Sequence, residues 1–262
     1  MKKEKVGYWN AQKKAFLASF SNIFSKKFLK SALFDLLTII AIILLVNVCL
    51  LIINNLSIKA FPNLLNIYEL KQADEQAFND AVAQYGPVLN KIFWWSLVII
   101  LLGTFILLFL IALFYGNAWC VALKKKFSAK FLKKYYLLNL LWALFWLIIL
   151  LLTVNIFVTA IAAIILLIEM LLFFYLDPVL RAVFDDDKSL LRNFAELFRI
   201  GKKLHWFIFF IISAIIIAFI LMAIAGIITI PVLFMIALIV FILLFLGWMR
   251  NYIIELVSFM KN

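Results

Sequence analysis

The chain is poor in the residues that most soluble chemistry needs. A single histidine, His205, excludes a site built from several imidazoles. The two cysteines, Cys49 and Cys120, are far apart and sit in or beside apolar runs, which offers neither metal-ligand spacing nor a disulfide framework. No P-loop, GxSxG, HExxH or CxxC motif occurs. Charged residues make up only 15% of 262, and glycine and proline number 7 and 4. No catalytic residue, metal or cofactor is therefore expected.

Apolar residues reach 68% of the chain, well above the roughly half of soluble domains. They gather into runs of about 20 residues, the length that crosses a hydrocarbon core roughly 30 Å thick. Six spans are predicted: 32–53, 92–115, 136–153, 156–176, 206–226 and 231–250. The expected fold is all-α, a polytopic transmembrane bundle forming one membrane domain over 1–262. Around it the pattern predicts an interfacial amphipathic helix at 8–30, with Trp9, Phe16, Phe20 and Phe28 at helical spacing. A second amphipathic helix is expected on the outer face at 62–86, opened by Pro62 and stopped by Gly86-Pro87. A third is expected at 188–200 in the cytoplasm.

The net charge of +12 would suggest nucleic acid in a soluble protein. Here the basic residues flank the spans, so no nucleic-acid partner is expected. Segments before span 1, after span 2, after span 4 and from the end of span 6 hold 22 lysines and arginines, and the opposite side holds Lys59, Lys71 and Lys91. By the positive-inside rule both termini are cytoplasmic, in a cell membrane crossed several times.

A short segment recurs. Phe24-Ser-Lys-Lys-Phe-Leu-Lys30 matches Phe127-Ser-Ala-Lys-Phe-Leu-Lys133 at six of seven positions, each before a span. Phe198-Arg-Ile-Gly-Lys-Lys-Leu204 has the same placement with weaker identity. This parses the chain into three parallel units, each an interfacial helix followed by a hairpin. Common descent and convergence both account for it.

The stretch Tyr175-Leu-Asp-Pro-Val-Leu180, the acidic turn after it and a helix ending in Gly201-Lys-Lys resemble the membrane domain of some glycerophosphodiester phosphodiesterases and of other prokaryotic six-helix membrane families. The resemblance covers about 135–250. The phosphodiesterase active site lies in a separate soluble barrel without a counterpart here, so no catalytic residue carries over. The resemblance implies an accessory role.

Charge at membrane depth is the best remaining signal, because it costs about 2.5–3.5 kcal/mol near mid-bilayer on insertion scales. Glu169 lies deep in span 4, with Arg250 as a partner near the end of span 6. Asn155, between spans 3 and 4, completes the candidate polar site. Asp35 and Glu255 read as interfacial groups that reach water. Asn47, Asn139 and Asn155 are expected to link helices, and Ala160, Ala163, Ala214 and Ala218 to allow close helix approach. Asp185, Asp186 and Asp187 read as a helix-capping cluster rather than a cation site. Two functions remain open: a non-enzymatic structural or accessory protein that organises lipid or partner proteins, with self-association included, and a small-solute or ion transporter or channel using Glu169.

Overall fold

The computed structural model describes residues 7–21, 23, 25–58, 75–157, 159–226 and 230–261. Among them the fold is all-α: α1 (Tyr8–Ser21), α2 (Lys26–Ile58), α3 (Glu75–Ala122), α4 (Ala129–Ile156), α5 (Thr159–Val183), α6 (Leu190–Gly201), α7 (Ile208–Gly226) and α8 (Pro231–Lys261). A lipid-facing backbone must satisfy its own polar groups, and helices do so within one segment. Five helices, α2, α3, α4, α5 and α8, are long and apolar enough to cross a membrane. The sixth expected span is the shorter α7, whose 19 residues extend about 28 Å at 1.5 Å per residue.

The chain divides into two compact units, Met1–Leu37 with Ile111–Asn262, and Thr38–Leu110. In the smaller unit a Cβ on Gly103 would lie 2.8 Å from the Cys49 sulfur, so the glycine permits that approach. Phe93, Trp94 and Trp95 are exposed there, as membrane-interface aromatics are. Asn47 donates to the Ile43 carbonyl of its own helix at 2.7 Å rather than to a neighbouring helix.

Several boundaries differ from expectation. Residues 62–74 lie outside the described residues, but 75–86 form the start of α3, which runs through Gly86 and Pro87 without stopping. Proline removes one backbone donor, and the apolar stretch beyond it keeps the helix going. The predicted 8–30 helix is two pieces: α1 ends at Ser21, and Lys26–Lys30 open the first span.

That second piece is half of the repeated segment. Ser25 Oγ accepts from the Phe28 N–H at 3.1 Å, and Ser128 Oγ accepts from the Phe131 N–H at 3.1 Å. Both serines satisfy donors orphaned at a helix start. Phe28 and Phe131 are both buried, each against a glycine of another helix: Gly247 faces Phe28, and Gly116 faces Phe131. The repeat thus starts two long apolar helices with one device.

In the larger unit α1 packs most extensively on α8, and α5 meets α6 and α8. The buried face of α1 is its small and polar one, Ala11, Gln12, Ala15 and Ser19. Gln12 accepts from the Tyr252 hydroxyl and donates to the Trp206 carbonyl at 2.5 Å. Trp9, 71% exposed, and Leu17 point outward, the exposure that suits a helix at a membrane surface. The 12-residue α6 is capped by Ser189, which accepts from the Arg192 N–H at 3.3 Å, so the three aspartates are not its cap. It buries Leu197 and leaves Leu191 82% exposed.

Candidate functional site

The polar groups that the helices of the larger unit bring together centre on two arginines. Arg250, on α8, is buried and holds Asp35 of α2, its Nη2 donating to the two carboxylate oxygens at 2.5 and 2.7 Å. Both side chains are at most 1% exposed. The guanidinium carbon lies 5.5 Å from the Trp119 ring and 5.7 Å from the Tyr115 ring, both on α3, within cation–π reach. Its Nε and Nη1 have no hydrogen-bond partner among the described residues.

Arg181, one turn past Asp177 on α5, is fully engaged. Nε and Nη2 donate to Asp177 at 2.8 Å each, and Nη1 donates to the Tyr135 hydroxyl at 2.6 Å and to Asn139 Oδ1 at 2.8 Å. Trp142 Nε1 donates to Asp177 at 3.1 Å. The Tyr115 ring lies 4.9 Å from the Arg181 guanidinium, so one tyrosine contacts both cations. Ion pairing offsets part of the cost of burying these charges, and α2, α3, α4, α5 and α8 all contribute residues to the cluster.

The predicted site residues are not brought together. Arg250 pairs with Asp35, not Glu169. Glu169 accepts a hydrogen bond from Thr153, across the α4–α5 hairpin. Asn155 is exposed and donates to the Leu151 carbonyl of its own helix at 2.7 Å. Of the three asparagines expected to link helices, Asn139 does so. Asp35, expected to reach water, is buried because Arg250 makes burial affordable. The sequence signal for the Asp177–Arg181 pair was their i,i+4 spacing at the end of a largely apolar helix.

The aspartates of the acidic turn have carboxylate oxygens within 4.8 Å of one another. Lysines engage them. Lys130 bonds Asp187 at 2.5 Å, Lys125 lies 3.8 Å from Asp185, and Lys134 donates to the Asp186 and Lys188 carbonyls at 2.6 and 3.0 Å. The hydrogen bond from Lys130 holds the Asp187 carboxyl below its usual value. The basic 124–134 segment thus docks on the turn between α5 and α6. His205 is exposed and lies beside Tyr8, ring centroids 6.1 Å apart.

No family model matches the chain, and neither the curated proteins nor the solved structures searched contain a match. The chain is a helical protein with several apolar, membrane-spanning helices, and its polar geometry carries the functional argument.

Proposed function

We propose that this chain is a non-enzymatic accessory protein of a cell membrane, with α7 as a sixth span and both termini in the cytoplasm, which organises lipids or partner proteins beside it. The observation that carries this reading is that the acids of the apolar helices are partnered within the helix bundle: Asp35 by Arg250, Asp177 by Arg181, Glu169 by Thr153. Groups committed to one another hold helices in register and leave little to bind and release a solute. The exposed apolar residues of α1 and α6, with the basic excess, support contact with an anionic lipid surface. The resemblance over 135–250 favours the same accessory role.

The test uses the full chain in liposomes containing phosphatidylglycerol. Energy transfer between labelled lipids reads lateral organisation, and entrapped dyes read proton, sodium and potassium flux. The reading expects increased clustering of the anionic lipid and no flux above empty liposomes. Flux that disappears in Glu169→Gln would replace it with the transporter reading, in which Glu169 carries the coupled ion.

A further inference from the structure

Between α5, α7 and α8 lies a cleft of about 310 Å³, at the lower edge of the roughly 300–1,000 Å³ of small-molecule sites. Phe174 and Tyr175 of α5, Phe210 and Ala214 of α7, and Phe245 and Met249 of α8 form its walls, and no charged side chain lines it. A second cleft of about 150 Å³ continues from it along α7 and α8, since Ala218 and Phe245 line both and Met222 lies in the second. The small residues that the sequence offers for close helix approach, Ala214 and Ala218, instead leave this groove open. From Phe210 to Met222 it follows about 18 Å of helix at 1.5 Å per residue, close to one leaflet's share of a core roughly 30 Å thick.

One wall of the groove is tied to a basic segment of the chain. Tyr175, in its wall, donates its hydroxyl to the Gly201 carbonyl at 2.5 Å, and Lys202 and Lys203 follow directly. Neither lysine forms an ion pair with a described residue. Beside them Tyr8 packs on Trp206 at 5.3 Å, a tyrosine–tryptophan pair of the kind that marks headgroup level. The wall is firm, because Phe210 stacks on Trp248 and Tyr252 at 5.8 and 5.4 Å.

We propose that this groove holds one acyl chain of an anionic phospholipid whose phosphate is met by Lys202 and Lys203. The site rests on the reading of the chain as a lipid-organising protein and names its lipid class. An acyl chain fits the apolar walls and the one-leaflet length. Two unpaired lysines at headgroup level select a negative headgroup over a zwitterionic one.

The experiment is native mass spectrometry of the full-length protein, delipidated and then titrated with phosphatidylglycerol or phosphatidylcholine. Wild type retains one phosphatidylglycerol, preferred about thirtyfold over phosphatidylcholine, as two basic contacts near the surface would give. Lys202→Gln with Lys203→Gln lowers that preference towards unity. Ala218→Phe, which fills the junction of the two clefts, abolishes retention of both lipids. Equal retention of the two lipids by wild type overturns the proposal, as does unchanged retention by Ala218→Phe. A dimer that dissociates in Ala218→Phe would assign the groove to a second copy and overturn it too. Should Ala218→Phe fail to fold, the lysine variant decides alone. Lipid clustering in liposomes separates the two claims: clustering without a retained lipid removes the site only, and a retained lipid without clustering removes the broader function only.

Discussion

Asp35 and Arg250, 215 residues apart in the chain, form a fully buried ion pair in which a single guanidinium nitrogen grips both carboxylate oxygens. Breaking such a pair from one side strands a charge, which costs about 3–5 kcal/mol. Asp35→Asn and Arg250→Met should each lower thermal stability sharply. Asp35→Leu combined with Arg250→Met should recover most of the loss. A double variant as unstable as the sum of the two singles would show that the pair does not act as a unit.

Arg181 offers a sharper comparison, because its charge can be kept while its fork is lost. Lysine cannot reach Asp177, Tyr135 and Asn139 together. Arg181→Lys should cost about 1–3 kcal/mol, as buried acceptors lose their donors. Tyr135→Phe in that background should then cost less than in wild type, and a thermal-denaturation double-mutant cycle reads the difference.

Gly247 has no room for a side chain. A Cβ there would lie 2.2 Å from Phe28 Cε2, and Phe28 is itself buried. Gly247→Ala should destabilise by about 1–3 kcal/mol, and Phe28→Leu should restore part of that. Gly86, in the helix interior of α3 with nothing within 4 Å of a built Cβ, is the control. Gly86→Ala should be neutral or stabilising by up to about 1 kcal/mol.

Glu196 of α6 carries a pH dependence of defined sign. Partial burial raises its carboxyl, but the Lys188 hydrogen bond at 2.6 Å and Lys261 at 3.2 Å outweigh it, leaving the value below that of a free glutamate. A carboxyl lowered by folding contributes stability at neutral pH. That contribution is lost as pH falls from the unfolded value of about 4.3 through the folded one. Glu196→Gln should melt below wild type at pH 7, and the gap should close on acidification. A gap that stays constant would mean that the lysines contribute nothing through Glu196.

The orientation proposed from the charge bias can be checked by labelling. In a chain without Cys49 and Cys120, a cysteine placed at Asp74 should react with a membrane-impermeant maleimide on intact cells. A cysteine at Lys125 should react only after lysis. The reverse pattern would invert the topology.

Membrane class and helical fold were legible without coordinates, because long apolar runs in lipid have few options other than helices. The repeated Phe-Ser…Phe-Leu-Lys segments were legible as a recurrence beside spans, but their serine caps at the starts of the long helices were not read. Gly86-Pro87 misled: a stop signal that works in water is overridden where the following residues belong in a bilayer. The polar partners were beyond local reading. Glu169 and Arg250 are the conspicuous charges on their helices, yet rotation and depth of each helix decide which groups meet. Those depend on packing such as Phe28 against Gly247 and Phe131 against Gly116. Composition and periodicity determined that this chain enters a membrane, and as what. Only tertiary structure decided that Arg250 takes Asp35, that Arg181 also reaches Tyr135 and Asn139, and that Ala214 and Ala218 line a groove, because each depends on how separate helices are rotated and packed against one another.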